Sequence, residues 1–319
     1  MQDIRDKLEN NQVSIYFAAV ALAIVAALAL PHTTALESAV NPALAVMLFV
    51  TFLQVPLAEL GRAFTHGRFL GALLLTNFAV IPLLVALLLP LAPAEPLVRL
   101  GVLLVLLAPC IDYVVTFSHL GRADARLLLA ATPVLLVAQM ALLPVYLGWM
   151  LGDDAAGLIQ PGPFIDAFVW LIAVPLLLAL AVQAWAARSG TGARVSTSLG
   201  LLPVPATALV LFIVVASVLP QLGQAADAAL AVVPVYIAFA ILAPLAGWLV
   251  ARSLRLEAPA GRAVAFSGAT RNSLVILPLA LSVPGAVPLL PAIIVTQTLV
   301  ELVAELVYVR AIARLGDQS

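Results

Sequence analysis

Two apolar stretches of this sequence are interrupted near their middle, one by Ala108-Pro-Cys-Ile-Asp-Tyr113 and the other by Ser267-Gly-Ala-Thr-Arg-Asn-Ser273. Proline removes a backbone donor and glycine weakens a helix, so both stretches are expected to unwind there. Each interruption also carries an ionisable side chain at a depth where charge is costly in a bilayer. Matched broken helices are typical of the binding sites of secondary transporters. The alternative is a pair of ordinary kinks, since the chain contains 23 prolines.

The composition is that of an integral membrane protein. Of the 319 residues, 64% are hydrophobic and 10% are charged, whereas soluble domains carry about 25% charged residues. A helix needs about 20 apolar residues to cross a bilayer. The predicted spans are Val13–Leu30, Asn41–Leu60, Phe69–Leu91, Leu100–Phe117, Leu127–Leu151, Phe164–Trp185, Leu199–Leu219, Leu230–Val250, Ala263–Leu281 and Val287–Val309. The predicted fold class is therefore all-α integral membrane, with ten transmembrane helices.

The basic residues are distributed unevenly over the predicted loops. With a cytoplasmic start, one side of the membrane receives Arg5, Lys7, Arg62, Arg68, Arg122, Arg126, Arg188, Arg194, Arg252, Arg255, Arg262, Arg310 and Arg314. The other side receives only Arg99, and Arg271 lies inside a span. Because basic loops face the cytoplasm, both termini are predicted to be cytoplasmic, in a multi-pass protein of the plasma membrane.

Ten spans divide into two halves of five, predicted at residues 1–151 and 152–319. An odd number of crossings makes the second half enter the membrane from the opposite face, so the halves form an inverted repeat. The two interruptions then lie in the fourth and ninth helices, which hold the same place in each half. These broken helices are predicted to cross at the binding site.

Asp112 and Arg271 are the ionisable residues of the two interruptions. A buried carboxylate either pairs with a cation or takes up a proton, and arginine stays protonated. The two side chains are therefore predicted to pair across the crossing, and binding of a solute or a proton would open the pair. A permanent ion pair that only fixes the packing is the alternative.

Cys110, the only cysteine, lies two residues before Asp112. A lone cysteine in a membrane helix commonly packs as a small apolar residue. A thiol in a broken helix can also bind a soft, thiophilic solute. Both interpretations are open on the residues alone.

The tenth span carries a polar stripe, because Gln297, Glu301 and Glu305 lie at positions i, i+4 and i+8 of one helical face. Glu301 is near mid-membrane and is predicted to carry a proton or a cation. Glu305, nearer the cytoplasm, is predicted to support it or to pair with a basic loop. Gln139 and other isolated polar residues are predicted to form hydrogen bonds between helices.

Other chemistry has little support in the sequence. No HExxH, Walker A or GxSxG pattern occurs, and the three histidines are scattered near span ends. The protein is therefore predicted not to be an enzyme, to need no cofactor and to bind no nucleic acid. Its predicted partners are the lipid bilayer, a small solute and a coupling proton or sodium ion.

The two interruptions resemble those of the bile acid:sodium symporter superfamily, and within it most closely those of the arsenite efflux permeases. The resemblance covers all ten spans. It implies that the fourth and ninth helices are unwound and cross at the substrate site, between a panel domain and a core domain. Ala108-Pro-Cys-Ile-Asp112 is similar to the cysteine motif of the arsenite permeases, which implies that Cys110 binds a metalloid.

The ninth-helix motif departs from that of the arsenite permeases. Thr270-Arg-Asn-Ser-Leu-Val275 stands where those proteins have Ser-Asn-Asn-Phe-Glu-Leu. Asn272 matches, but Leu274 replaces the acidic residue. The carboxylate of the family motif therefore cannot be carried over to this chain.

The sodium-coupled branch of the superfamily is also matched only in part. Its Glu-Thr-Gly-x-Gln-Asn motif would fall on Ser267-Gly-Ala-Thr-Arg-Asn272, which places Ser267 and Arg271 at the positions of sodium ligands. A guanidinium at such a position argues against sodium coupling. Proton coupling through Asp112 or Glu301 is the more favoured prediction.

Three hypotheses of function are consistent with these residues. The leading hypothesis is an antiporter of arsenical resistance, which exports arsenite or a related trivalent metalloid with Cys110 as soft ligand and Asp112 as the proton-coupled carboxylate. The alternative is a proton- or sodium-coupled carrier of a small organic anion, which Arg271, Thr270 and Asn272 hold beside the helix N-termini. A membrane scaffold or sensor that moves no solute is a third hypothesis.

Overall fold

The computed structural model of the protein describes residues 2–54, 66–111, 113–152, 162, 165–166, 169–223, 225–281, 283, 285–286 and 288–316. These residues are almost entirely helical. The helices, in chain order, are α1 (Gln2–Ala29), α2 (Val40–Leu53), α3 (Gly67–Leu75), α4 (Ile81–Leu88), α5 (Pro96–Leu106), α6 (Tyr113–Leu120), α7 (Ala125–Leu151), α8 (Val174–Ala186), α9 (Gly190–Leu199), α10 (Pro203–Leu222), α11 (Ala226–Ser253), α12 (Ala258–Ala269), α13 (Ser273–Leu281) and α14 (Leu289–Ala311). Extended pairing within this part of the chain is limited to one isolated bridge.

Eight helical segments of the described chain are long and apolar enough to cross a membrane. They are Lys7–Ala29, Thr33–Leu53, Gly67–Leu91, Ala125–Leu151, Val169–Ala186, Pro203–Gln221, Ala226–Ser253 and Leu289–Arg314. All overlap predicted spans, and the remaining two predicted spans, the fourth and the ninth, are each divided into two shorter helices. The structure therefore shows a helical protein with eight candidate spans, and ten crossings stay a prediction.

The helix breaks fall at both interrupted stretches. The first break lies between α5, which ends at Leu106, and α6, which begins at Tyr113. The second break lies between α12, which ends at Ala269, and α13, which begins at Ser273. Because Pro109 in the first break has no N–H, a continuous helix would lose a hydrogen bond there.

One compact unit consists of Met1–Leu57 and Pro161–Gln224. Within it, α1 packs along α10, and α2 packs against α8 and α10. The Gln183 side chain of α8 donates to the carbonyl oxygens of Phe52 and Leu53 at the end of α2, at 3.3 and 3.1 Å. These bonds satisfy carbonyl groups that a helix C-terminus leaves without an intrahelical donor.

A second compact unit consists of Ala58–Gln160 and Ala225–Ser319 and contains both helix breaks. Its centre is formed by α11, α12 and α14, with α3 and α5 packed against them. The α11–α12 contact is close, because a Cβ atom built on Gly247 would lie 2.9 Å from Val264 O and 3.0 Å from Ala265 Cα. A side chain at residue 247 would therefore push α12, and with it the second break, away from α11.

The two compact units do not follow the predicted repeats at residues 1–151 and 152–319. Each unit takes segments from both predicted halves. Packing and sequence symmetry divide a chain by different criteria, so this division does not contradict the repeats. The inverted repeat stays a prediction.

Candidate functional site

Backbone hydrogen bonds join the two helix breaks. The Cys110 N–H of the first break donates to Thr270 O of the second, at 3.0 Å. The Asn272 N–H of the second break donates to Ala108 O of the first, at 2.8 Å. The two strands of backbone run antiparallel. We call this paired region the crossing. It satisfies polar backbone groups that unwinding would otherwise leave exposed to an apolar interior.

The Arg271 side chain is completely buried next to the crossing. Its Nη2 donates to Asn77 Oδ1 at 2.9 Å, to Gly268 O at 2.8 Å and, by a short contact, to Ser267 O. Its Nη1 donates to Leu106 O at 3.3 Å. Three of the four acceptors are backbone carbonyls, and we call the four oxygens the oxygen cage.

The oxygen cage carries no formal charge. Among the described residues, every oxygen within hydrogen-bonding distance of the guanidinium belongs to a carbonyl or an amide. The aromatic ring of Phe239 lies 5.5 Å from its central carbon, which adds a cation–π contact. Asp112, the predicted partner of Arg271, lies outside the described residues. The Asp112–Arg271 pair therefore stays a prediction.

Glu301 of α14 is a buried carboxylate in contact with the crossing. One carboxylate oxygen accepts from the Tyr113 hydroxyl at 2.5 Å. The other accepts from the Arg271 backbone N–H at 2.7 Å and from the Gln297 amide at 2.6 Å. A carboxylate that accepts three hydrogen bonds stabilises the segments that donate them. Glu301 thus connects α14 with the second break and with the start of α6.

Glu305 lies one turn further along α14 and is also completely buried. One of its carboxylate oxygens is 2.6 Å from the Thr270 hydroxyl, and the other has no hydrogen-bond partner among the described residues. The same hydroxyl is 2.8 Å from Phe266 O. A hydroxyl has only one proton to donate, so Thr270 cannot donate fully to both oxygens.

The N-terminus of α13 leaves two buried polar atoms without partners in the described chain. Asn272 Oδ1 accepts from the Val275 N–H at 3.2 Å, which caps the first turn. Asn272 Nδ2 and Ser273 Oγ have no hydrogen-bond partner among the described residues, although both side chains are about 1% exposed. Unpaired buried polar groups are costly. These two atoms are therefore candidates for contact with a polar solute.

Cys110 is completely buried inside the first break. Its backbone is held at the crossing by the bond to Thr270 O. The predicted thiol ligand is thus placed between two helix breaks rather than on an outer helix face.

A small cavity adjoins this cluster. Its volume is about 10 Å³, which is room for about one water molecule. The polar part of its lining includes Gln297, Glu301 and Tyr308, and the apolar part includes Leu106 and Phe239. The described cavity is too small for any of the predicted solutes, so the solute would need this unit to rearrange.

Most of the predicted site residues lie in one cluster. Hydrogen bonds connect Arg271, Asn272, Thr270, Ser267, Gln297, Glu301, Glu305 and the backbone of Cys110 through the crossing. Gln139 of α7 is completely buried, but neither polar atom of its amide has a hydrogen-bond partner among the described residues. Its predicted interhelical hydrogen bond is therefore not present in the described part of the structure.

Two residues of the cluster were not predicted as site residues. Asn77 lies in a π-helical turn, Thr76–Val80, and its amide nitrogen donates to Ser267 Oγ at 2.9 Å while its oxygen accepts from Arg271. Tyr113 donates to Glu301 and begins α6. An isolated asparagine in an apolar span was a signal for the first, because it needs an interhelical partner. A tyrosine beside a helix break gave no comparable signal.

Comparison with known proteins gives one match. A family model described as the sodium bile acid symporter family matches residues 41–227. No curated protein matches the chain. The matched residues include the whole first break and end before the second break begins.

Proposed function

Because this chain belongs to the sodium bile acid symporter family, we propose that it is a secondary active transporter whose solute binds at the crossing. The family is one of membrane transporters, and the multiple apolar helices agree with a multi-pass membrane protein. The observation that carries the proposal is the pairing of two broken helices, which brings unpaired polar side chains together inside an apolar unit. Such pairs of discontinuous helices provide both donors and carbonyl acceptors for a solute.

The proposed topology has ten crossings in two inverted repeats, residues 1–151 and 152–319, with both termini in the cytoplasm and the protein in the plasma membrane. One feature of the packing supports it. The unit with the crossing takes its predicted spans three to five from the first half and eight to ten from the second, and the other unit takes spans one, two, six and seven. Equivalent segments of the two predicted halves thus contribute to the same unit, which is consistent with an inverted repeat.

We propose that transport is coupled to protons. The buried carboxylates of Glu301 and Glu305 lie in hydrogen-bonding contact with the second break, so a change in their protonation acts directly on the crossing. Asp112 precedes α6 in the sequence and is a third candidate, although it lies outside the described residues. Sodium coupling has less support, because the guanidinium of Arg271 already supplies a positive charge within the oxygen cage.

For the solute, the geometry best supports a small organic anion. Asn272 Nδ2 and Ser273 Oγ offer unpaired hydrogen-bond donors at the N-terminus of α13. The N-terminus of a helix carries a partial positive charge and favours anions. The Arg271 guanidinium is engaged by protein oxygens, so its proposed contribution is the positive charge rather than a direct contact.

Export of arsenite or a related trivalent metalloid is the second candidate. The burial of Cys110 within the crossing supports it, because a thiolate is a ligand for soft, thiophilic species. The same polar atoms of Asn272 and Ser273 would then bind metalloid hydroxyl groups. Metalloid export would exchange for protons through Asp112 or Glu301.

One experiment separates the two solutes. Proteoliposomes with the purified protein are loaded with arsenite or with labelled organic anions, including a bile acid, and flux is measured with and without a pH gradient. We expect gradient-dependent anion flux that Cys110→Ser leaves nearly unchanged, because the serine hydroxyl keeps the size of the side chain. Arsenite flux that is lost in Cys110→Ser would instead establish the metalloid candidate. No flux of any solute would contradict the transporter proposal.

A further inference from the structure

We infer that the oxygen cage is a binding site for a monovalent cation that the protein fills with its own Arg271 guanidinium. Removing that side chain is therefore expected to create a site for a free sodium ion. The cage lies within one compact unit, and its occupation by Arg271 does not depend on which solute is carried. The Arg271 guanidinium thus takes the place of a bound cation.

The two helix breaks create the cage by diverting three backbone N–H groups. In an α-helix, each carbonyl accepts from the N–H four residues later. In a continuous helix, Leu106 O would accept from the Cys110 N–H. Here the Cys110 N–H donates to Thr270 O instead. Leu106 O is thereby left to accept from the Arg271 guanidinium.

The same diversion occurs at the end of α12. In a continuous helix, Ser267 O would accept from the Arg271 N–H. That N–H donates to Glu301 instead. Gly268 O would likewise accept from the Asn272 N–H. That N–H donates to Ala108 O of the first break instead. Both carbonyls accept from Arg271 Nη2 instead. The crossing thus leaves three carbonyl oxygens without their intrahelical donors, and all three accept from the Arg271 guanidinium.

The electrostatics of this place favour a single positive charge. The three carbonyls belong to the C-terminal ends of α5 and α12, where a helix carries partial negative charge. Asn77 Oδ1 completes the cage, and the asparagine is held in place by bonds to Leu73 O and to Ser267 Oγ. Carbonyl and amide oxygens are ligands for hard cations. With no carboxylate among its described atoms, the cage suits a monovalent ion better than a divalent one.

The burial of the guanidinium supports this assignment. Arg271 is completely buried, and its Nε has no hydrogen-bond partner in the described part of the chain. An arginine placed for direct recognition of an anion would present a two-pronged donor edge to it. Here Nη2, the nitrogen with most contacts, is surrounded by three protein oxygens. It occupies the position that an ion would take.

Arg271→Gln tests the inference, because the glutamine removes the charge and adds another amide oxygen. Thermal unfolding of the purified protein is followed in sodium chloride and in choline chloride of equal ionic strength. We expect the native protein to unfold at the same temperature in both salts. The variant is expected to unfold at a lower temperature in choline and to regain about 5 °C or more in sodium. It should also bind radioactive sodium saturably, unlike the native protein.

Three further variants separate this inference from general instability. Arg262 is a matched control, since it is also buried in the same unit and donates to the backbone oxygens of Leu315 and Arg122. Arg262→Gln is expected to lower stability equally in both salts. Arg271→Lys keeps a tethered cation and should show no sodium dependence. Adding Asn77→Ala to Arg271→Gln should remove the sodium effect.

The inference is overturned if Arg271→Gln unfolds at the same temperature in both salts and binds no sodium. It is also overturned if the variant cannot be purified folded in either salt, because sodium is expected to rescue it. An equal rise in the unfolding temperature of Arg262→Gln on changing from choline to sodium would show that the effect is not local to the cage. None of these outcomes depends on transport, so failure of the proposed function would be seen separately.

Discussion

Glu301→Gln is expected to reduce pH-gradient-driven flux to the level of protein-free liposomes while the protein stays folded. The carboxylate of Glu301 accepts from Tyr113, Gln297 and the Arg271 backbone. Glutamine keeps one oxygen for two of these donors, and its amide can donate to the Tyr113 hydroxyl. That hydroxyl has another acceptor available, Arg271 O, at 3.3 Å. The substitution thus preserves the hydrogen-bonded cluster and removes only the group that can carry a proton.

Two variants on the same helix give the comparison. Glu301→Ala leaves two buried donors, the Arg271 N–H and the Gln297 amide, without this acceptor. Each loss costs about 1–3 kcal/mol, so the variant is expected to unfold about 10 °C below the native protein. Glu305→Gln lies one turn away and changes a carboxylate with one bonded oxygen. It is expected to retain measurable gradient-driven flux. Full flux in Glu301→Gln would remove Glu301 from the coupling mechanism.

Asn272→Asp is expected to raise the KM for an organic anion about 100-fold or more, since a donor to a charged group contributes about 1.5–3 kcal/mol and a like charge adds repulsion. The aspartate retains the oxygen that accepts from Val275, so the first turn of α13 keeps its cap. It loses the unpaired Nδ2 donor and places a negative charge where the solute is proposed to bind. The new carboxylate is buried, so the unfolding temperature is expected to fall, while the retained cap keeps the variant folded.

The measurement is initial flux against solute concentration in proteoliposomes. Asn11→Asp is the control for an added negative charge, because Asn11 is exposed on α1 and outside the unit that contains the crossing. An unchanged KM for the anion in Asn272→Asp would exclude this end of α13 from the anion site. If Asn272→Asp instead leaves arsenite flux intact while no anion is carried, the metalloid candidate gains support.

The positions of the helix breaks could be read from the sequence, because proline, glycine and ionisable residues stand out in apolar stretches. The hydrogen-bond partners of the Arg271 side chain could not be predicted from the sequence. A carboxylate such as Asp112 is conspicuous as a partner for a guanidinium, whereas every residue has a backbone carbonyl. Only the tertiary pairing of the breaks shows which carbonyls have lost their intrahelical donors, and these are Leu106, Ser267 and Gly268.

The spans that form each of the two compact units were not predicted either, although the family resemblance implies a panel domain and a core domain. All predicted spans are similarly apolar, so hydropathy does not show which of them pack together. The polar stripe on the tenth span was predictable, since Gln297, Glu301 and Glu305 recur at helical spacing. Its hydrogen-bond partners Tyr113 and Thr270 were harder to predict. Only the tertiary structure of the crossing shows that they lie beside the stripe.

The central claim is that the solute reaches the crossing, and the native Cys110 reports on it directly because the chain has no other cysteine. A membrane-impermeant methanethiosulfonate reagent is added to sealed vesicles of each orientation, with and without solute. We predict that Cys110 reacts from at least one side, that the reaction stops transport, and that the carried solute slows labelling. Cys110 that is labelled only after denaturation, in vesicles that transport at the full rate with the reagent present, would contradict the claim.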